Sequence, residues 1–154
     1  MRGYKRILPV LIIVFIGLQF IPSVRNQSGQ MAINDISRIY NVPKNIHAVL
    51  VKSCYDCHSN NTNYPWYANV QPFRYWLDHH VEEGKKELNF NDYGTYSKRR
   101  QSNKLRAIGS SITDDTMPLS SYLLLHREAK LSEEEKSQIL KWVEDTRGSL
   151  LGSR

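Results

Sequence analysis

Cys54-Tyr55-Asp56-Cys57-His58 is the stretch that decides how the rest of this 154-residue chain is interpreted. It contains both cysteines of the chain, three positions apart, with a histidine directly after the second. A Cys-x-x-Cys-His motif is typical of covalent attachment of a c-type haem. Cysteines one helical turn apart project to the same side, where they reach the two haem vinyl groups, and the histidine ligates the iron. The motif therefore predicts thioether links at Cys54 and Cys57 and an iron ligand at His58.

The second ring nitrogen of His58 is expected to hydrogen-bond to a backbone carbonyl, because that contact fixes the tautomer that presents a lone pair to iron. Three other interpretations of the motif are weaker. A structural zinc site needs about four ligands, and His79-His80 is the only other close pair of candidates. A thioredoxin-like redox pair belongs to an α/β pattern, which does not follow here. A disulfide would close a very short loop and stabilise little.

The N-terminus has the features of an export signal. Arg2, Lys5 and Arg6 form a basic flank ahead of an apolar run from Ile7 to about Ile21. No Ala-x-Ala-like cleavage site follows, so we expect residues 1–24 to be an uncleaved signal anchor rather than a cleaved signal peptide. The run is short for a spanning helix, which needs about 20 apolar residues. The prediction is an inner-membrane protein whose domain faces the periplasm.

The charge balance does not indicate a nucleic-acid partner. The chain has 21 Lys and Arg against 15 Asp and Glu, a formal net charge of +6. Four of the basic residues lie in the first 30 positions, which contain no acid, so 17 basic and 15 acidic side chains remain. Two haem propionates would nearly cancel that excess. The cluster Lys98-Arg99-Arg100, with Lys104 and Arg106 behind it, is expected to be a solvated helix face rather than a docking patch or propionate contact.

The pattern of the remaining chain predicts one all-α domain. A polar linker is placed at 25–34, the domain at 35–146 and a C-terminal tail at 147–154. No convincing alternating strand occurs anywhere in this region. The expected architecture is a single helical domain behind the N-terminal transmembrane or signal-anchor helix.

Prolines and apolar periodicity place the helices. Pro43 opens a helix that leads into the haem motif, and Pro72 opens a second one with Gly84 near its end. The second helix has an apolar stripe of Phe73, Trp76, Leu77, His80 and Val81, and a third carries Leu105, Ile108 and Ile112. Ser132 and Glu135 form a Ser-x-x-Glu capping box at the start of the last helix.

The sixth ligand of the iron has five candidates: Met117, His79, His80, His126 and His47. Met117 precedes a proline in a loop between two predicted helices, and its thioether can reach the haem from the face opposite His58. Met117 is therefore the predicted ligand. His80 is the strongest rival, because it lies on the apolar face of its helix and would give a bis-histidine iron. We interpret His126 and His47 as surface or packing histidines.

The order of helix, Cys-x-x-Cys-His, Met-Pro loop and capped C-terminal helix resembles a small class I cytochrome c. A series of short strings more closely resembles the membrane-anchored haem-binding domain proteins found widely in Bacteroidetes, over about positions 35 to 146. These strings are Cys54 to Asn60, Tyr64-Pro65-Trp66-Tyr67, His80-Val81, Gly84-Lys85, Leu88-Asn89-Phe90, Met117-Pro118-Leu119 and Tyr122. The resemblance implies a cytochrome c-like, periplasm-facing domain behind an N-terminal anchor, with one covalently attached haem c per chain.

An aromatic-rich insertion separates the haem motif from Met117, unlike in a minimal cytochrome c. The insertion contains Trp66, Tyr67, Trp76 and Tyr93, and six of its rings lie close together in the sequence: Tyr64, Trp66, Tyr67, Phe73, Tyr75 and Trp76. Two interpretations are open. The rings either wall the haem crevice, where they would exclude water and raise the reduction potential, or belong to the ordinary core of a small helical domain.

The function predicted from these features is electron transfer by a single haem, with a redox partner in the membrane or periplasm. An open-site haem protein, either a peroxidase-like enzyme or a redox or gas sensor, is the alternative. A haem that only stabilises the fold is a third possibility. An enzyme needs a positioned acid, base or arginine over the iron. No such constellation is visible in the sequence, so no catalytic residue is predicted.

Overall fold

The structure is a computed structural model that describes residues 4–29 and 32–152, without the side chains of residues 4–6. Arg2 and the side chains of Lys5 and Arg6, which form the predicted basic flank, lie outside the described residues. The described chain is helical and contains no β-strand. The all-α fold class predicted from the sequence is confirmed.

The α-helices follow one another in this order: α1 Tyr4–Leu18, α2 Ile36–Ile39, α3 Lys44–Ser53, α4 Tyr55–His58, α5 Phe73–Glu87, α6 Lys98–Thr113, α7 Ser120–Leu123 and α8 Glu133–Gly152. Short 3₁₀ helices are formed by Trp66–Asn69, Phe90–Thr95 and Arg127–Ala129. The predicted helices around the haem motif are thus present as α3, α5 and α6. α8 continues without a break through the predicted domain boundary at 146.

Helix α1 is apolar and exposed along its length, since every residue from 7 to 18 is exposed. It has 15 residues and contains Pro9. Among the residues that the structure describes, no helix combines the length and the hydropathy needed to cross a bilayer. The transmembrane part of the predicted anchor is therefore not supported by these helices.

Two apolar clusters meet at the haem motif. The larger cluster is built where α6 packs on α8, and its most buried side chains include Leu50, Phe90, Tyr93, Leu105 and Ile139. Cys54 packs against this cluster. The smaller cluster contains Tyr67, Ala68, Leu77 and Val81, and Cys57 packs against it. The turn that carries the two cysteines is thus held between both parts of the core.

Part of the predicted linker packs on the domain. The backbone N–H of Ser28 donates to the carbonyl of Asn60 at 3.0 Å, and that of Thr62 donates to the carbonyl of Asn26 at 2.9 Å. The Asn26 side chain also donates to the carbonyl of Ser59 at 2.8 Å. The segment that follows α1 is therefore fixed to the polar loop behind the haem motif.

The predicted capping box is confirmed at the start of α8. The N–H of Glu135 donates to the Ser132 hydroxyl at 3.1 Å, and the N–H of Ser132 donates to the Glu135 carboxylate at 2.9 Å. The same carboxylate bonds to the Lys52 ammonium at 2.6 Å, which ties α8 to α3. Lys52 and the Ser132 N–H together hold the pKa of Glu135 below its ordinary value.

Ser132→Ala is expected to lower the free energy of unfolding by about 1 kcal/mol, because the mutation leaves a helix N-terminal N–H without its acceptor. Urea denaturation followed by circular dichroism measures the change. Ser137→Ala is the matched control, since Ser137 is exposed inside the same helix and alanine has the higher helix propensity. Equal stability of the two variants would show that the box does not stabilise the domain.

Candidate functional site

The haem motif forms a single tight turn directly after α3. The N–H of Cys54 donates to the Leu50 carbonyl at 2.8 Å and completes α3. The Cys54 carbonyl then accepts from the N–H groups of Cys57 at 3.2 Å and His58 at 3.0 Å. The helical turn α4 therefore keeps both thiols and the imidazole within one turn of backbone, as covalent haem attachment requires.

The His58 ring is held in one orientation. Its Nδ1 lies 2.9 Å from the carbonyl oxygen of Leu88, and its ring contacts Phe90 edge-on with 6.2 Å between centroids. The predicted hydrogen bond to a backbone carbonyl is thus confirmed. Because Nδ1 donates to Leu88, the lone pair is left on Nε2. Burial lowers the pKa of His58, which favours the neutral imidazole that ligates metals.

Neither cysteine is in a disulfide, and the pKa of each thiol is raised. Burial raises the pKa of the Cys54 thiol to about 12 and that of the Cys57 thiol to about 11. A redox-active Cys-x-x-Cys pair normally has a lowered thiol pKa, because the thiolate is the nucleophile. The electrostatics at Cys54 and Cys57 therefore oppose the thioredoxin-like interpretation.

A cleft with two lobes surrounds the motif. The lobe against α5 has a volume of about 310 Å³, and the lobe against α6 has a volume of about 230 Å³. Six residues line both lobes: Ser53, Cys54, His58, Glu87, Met117 and Pro118. Cofactor sites have volumes of about 300–1,000 Å³ and mostly apolar walls with a few polar groups. The volume and the mostly apolar walls of the cleft fit a flat cofactor, with His58 and Met117 among the residues that line it.

A larger concavity, of about 880 Å³, lies away from the motif. It is an open groove between residues 24–28 and α5, and neither a cysteine nor a histidine lines it. The cysteines and three of the histidines line the smaller cleft and not this groove. Within residues 4–29 and 32–152, no three His, Cys, Asp or Glu side chains are grouped so that they could hold a metal ion. A haem needs no such group, because the porphyrin supplies four of the iron ligands.

Met117 lies at the mouth of both lobes and is 38% exposed. The carbonyl of Ser111 holds its loop, since it accepts from the N–H groups of Thr116 at 3.0 Å and Met117 at 3.3 Å. The structure thus brings together the four residues predicted as tethers and ligands, Cys54, Cys57, His58 and Met117, around the α5 lobe.

The candidate histidines divide into two groups. His79 and His80 line the α5 lobe, and His80 Nδ1 lies 2.8 Å from the Trp76 carbonyl, which leaves its Nε2 as the ring nitrogen available to a ligand. His126 and His47 line neither lobe. His126 stacks on Tyr122 and its Nε2 lies 2.6 Å from the Tyr67 hydroxyl, whereas His47 packs edge-on to Tyr55.

The two residues between the cysteines anchor the turn, a role that sequence reasoning missed. Tyr55 stacks on Phe90 with 4.9 Å between centroids, and its hydroxyl donates to the Asp35 carboxylate at 3.2 Å. Asp56 accepts from the Tyr122 hydroxyl at 2.7 Å and from the N–H of Asn63 at 3.0 Å. Burial and these carboxylates raise the pKa of Tyr55 and Tyr122 well above the ordinary value.

Tyr122→Phe is expected to destabilise the domain by about 1.5–3 kcal/mol, because it leaves Oδ2 of the partly buried Asp56 carboxylate without its donor, while Oδ1 keeps the N–H of Asn63. The Asp56–Tyr122 bond links the haem turn to the chain segment that follows Met117. Denaturant unfolding measures the loss. Tyr75→Phe is the control, since the Tyr75 hydroxyl is at the surface and that ring is 71% exposed. Similar values for both variants would contradict this role of Tyr122.

Of the two interpretations left open for the aromatic insertion, the lining of the cleft favours ordinary core and surface rings over a wall of the haem crevice. None of the six rings of the insertion lines either lobe. Trp66 is 80% exposed, and Tyr64, Tyr67 and Trp76 belong to the smaller apolar cluster beside the motif. The cleft walls come from α5, α6 and the Met-Pro loop instead.

Lys104 departs from the expected solvated face of α6. The residues of the Lys98-Arg99-Arg100 run are exposed, as predicted. Lys104, however, lines the α6 lobe with a side chain that is only 23% exposed, and its Nζ lies 3.4 Å from the Glu87 carboxylate. The lobe therefore has a cation at its wall that the sequence pattern assigned to solvent.

Comparison with known proteins agrees with a haem cofactor. The model of a family described as "Haem-binding domain" matches residues 13–145. The cytochrome c peroxidase Ccp of Escherichia coli (strain K12) is 27% identical over 105 residues, which are 66% of this chain and 23% of that protein. This chain thus spans about a quarter of the length of that curated relative. No solved structure matches the chain.

Proposed function

We propose, from the premise that this chain belongs to the haem-binding domain family, that it attaches one haem c covalently and serves in electron transfer. The observation that carries the proposal is the convergence of Cys54, Cys57, His58 and Met117 on one cleft. Family membership supports a haem cofactor. The covalent attachment, the single haem and the cytochrome c-like character are the further steps proposed here.

Five residues that line the cleft have a stated role in the proposal. Cys54 and Cys57 would form the thioethers to a bound haem, and His58 would supply its Nε2 to the iron, while the Leu88 carbonyl holds the tautomer. Met117, which lines both lobes, would supply the second protein ligand to the iron of a bound haem. Lys104, which is paired with Glu87 at the wall of the α6 lobe, would neutralise a propionate of a bound haem. A bound haem supplies the reversible ferrous–ferric couple, and the apolar cluster around Cys54 limits the access of water.

The second candidate is a haem protein with an open or exchangeable sixth position. Two observations favour it. The Escherichia coli relative is named a peroxidase, and the α5 lobe is lined by acidic and basic side chains that include His79, Glu83 and Glu87. Such groups are the kind that a peroxidase-like reaction uses to move protons. Electron transfer is preferred because Met117 lies at the mouth of both lobes.

The first experiment tests covalent attachment. The full chain, produced in the periplasm together with haem-attachment machinery, is extracted with acidic acetone. We expect the haem to stay with the protein, because thioethers resist this treatment and axial ligands do not. Haem that is completely extracted would end the c-type proposal. A Cys54→Ala/Cys57→Ala variant is the control and is expected to lose all of its haem in this extraction.

The absorption spectrum tests the sixth ligand. With Met117 bound, the oxidised protein shows the weak red band of sulfur-to-iron charge transfer, and the reduced protein does not bind carbon monoxide. Met117→Ala is expected to lose that band and to bind carbon monoxide, whereas His80→Ala keeps the wild-type spectrum. The opposite pattern would identify His80 as the ligand. Carbon monoxide binding by the reduced wild type would favour the open-site function.

We further propose that the domain lies outside the cytoplasm, held at the inner membrane by the N-terminal segment, and exchanges electrons with a membrane or periplasmic redox protein. The exposed apolar surface of α1 supports a membrane contact, since a helix that is apolar on all sides is not stable in water. Membranes washed with alkaline carbonate are expected to retain the chain, and protease added to spheroplasts is expected to digest the domain. Release by carbonate would contradict the anchor.

A further inference from the structure

Three large aromatic side chains are exposed where α5 begins: Trp66, Phe73 and Tyr75, which we call the aromatic edge. They are 80%, 51% and 71% exposed. Trp66 and Phe73 both pack edge-on against the buried Tyr67, with 6.1 and 6.3 Å between ring centroids, so the two exposed rings flank one buried ring. Tyr75, two residues further along α5, stacks on His79 instead. None of the three lines the haem cleft. A grouped exposure of large rings marks an interaction surface rather than core.

The aromatic edge is fixed beside the end of α1. The N–H of Gln71 donates to Gln19 Oε1 at 2.9 Å, and Gln19 Nε2 donates back to the Gln71 carbonyl at 3.4 Å. Gln71 Oε1 in turn accepts from the N–H of Tyr75 at 3.2 Å. Arg25 also bonds to the Asn69 side chain. The exposed apolar surface of α1 therefore ends where the exposed rings begin.

The segments that form the edge carry only basic charges, although Asp78 accepts from the Tyr64 hydroxyl at 3.3 Å and Glu128 bonds to His126 beside Tyr67. The chain contains no Asp or Glu before Asp35, and none between residues 59 and 77. Arg25 is exposed with its guanidinium 4.8 Å from the Tyr64 ring centroid, and Arg74 lies within the edge itself. Cations among Trp and Tyr rings match the headgroup region of an anionic bilayer, where both ring types are enriched.

We propose that the aromatic edge lies in the headgroup region of the membrane. It would hold the domain against the same bilayer that α1 contacts. The inference rests on the proposed membrane association of α1 and not on the haem. It fixes an orientation for the domain. Gly84, which packs against the haem turn, follows Phe73 on α5 by a distance of roughly 16 Å along the helix axis. The haem turn is thus separated from Phe73 by most of the length of α5, whereas the cleft itself extends along α5 to His79.

Fluorescence of Trp66 in vesicles tests the proposal. The full haem-loaded chain is reconstituted in vesicles of phosphatidylcholine and phosphatidylglycerol, with lipids brominated close to the headgroup. Subtracting the emission of Trp66→Phe from that of the wild type isolates Trp66, because both proteins carry the same haem. We expect the brominated lipids to remove most of the Trp66 emission and iodide in the water to remove little. Trp142→Phe is the matched control, since Trp142 is buried in α8 and its emission is expected to resist both quenchers.

Each outcome has one meaning. Trp66 emission that is quenched by iodide and not by brominated lipid would place the edge in water and overturn the proposal. Resistance to both quenchers would mean that protein covers the edge, a second copy or a partner, and would overturn it too. Chain that fails to float with the vesicles would refute the association of α1, on which the proposal rests. The acid-acetone extraction is independent of these readouts, so failure of the haem proposal is recognised separately.

Discussion

His58→Ala is expected to abolish the low-spin spectrum of the wild-type protein while thioether-bound haem is still detected on a denaturing gel. The side chain lies on the same turn as both cysteines, and its Nδ1 bond to Leu88 leaves Nε2 for iron. Loss of the ring removes one axial ligand completely, whereas the two thioethers do not depend on it. Absorption spectra of the oxidised and reduced variant measure the effect.

Imidazole added to the His58→Ala protein makes this test sharper. The missing ring leaves space in a cleft that is open at both lobes, so free imidazole is expected to bind there and restore a low-spin spectrum. His47→Ala is the control, because His47 packs on Tyr55 and lines neither lobe. A wild-type spectrum from the His58→Ala protein without imidazole would remove His58 from the site.

Local sequence signals predicted the helices and the haem turn because their causes are local. Pro43 and Pro72 stand directly before α3 and α5, as their fixed backbone torsion favours. Ser132 and Glu135 are three residues apart, so their reciprocal bonds need nothing from the rest of the chain. The spacing within Cys54 to His58 likewise determines that both thiols and the imidazole share one turn.

The partners of the site were not predictable, because they are distant in sequence. The need of His58 for a carbonyl follows from its chemistry, but Leu88 is 30 residues away. Asp56 meets Tyr122 across 66 residues, and no periodicity marks such a pair. Phe73 fits the helical stripe of α5, yet it lies in the first turn, outside the smaller apolar cluster, and is 51% exposed. The proximity of the six rings in the sequence therefore could not decide between a wall of the cleft and ordinary core.

Gly84→Ala is expected to destabilise the domain and disturb the haem site together. A Cβ on Gly84 would lie 2.8 Å from the carbonyl oxygen of Cys57 and 3.2 Å from its Cβ. The clash is with backbone inside a hydrogen-bonded turn, which cannot move aside like the end of a side chain. Overpacking of this kind costs about 1–3 kcal/mol beyond the roughly 1 kcal/mol that alanine gains over glycine in a helix.

The disturbance is expected to reach the iron through α5. The Gly84 carbonyl accepts from the N–H of Leu88 at 2.9 Å, and the Leu88 carbonyl orients His58. Moving α5 away from the Cys57 carbonyl therefore displaces the group that fixes the imidazole. We expect Gly84→Ala to lower both the free energy of unfolding and the fraction of chain that carries low-spin haem.

Gly109→Ala separates this close approach from the general effect of glycine in a helix. Gly109 is also helical, but its added Cβ would meet only Val143 Cγ1 at 3.6 Å and Leu140 Cδ2 at 3.7 Å, which are ordinary contacts. The variant is expected to be as stable as the wild type or more stable by up to about 1 kcal/mol. The two substitutions thus have opposite signs because only Gly84 touches the haem turn. A Gly84→Ala protein with the stability and spectrum of Gly109→Ala would show that α5 does not constrain the turn.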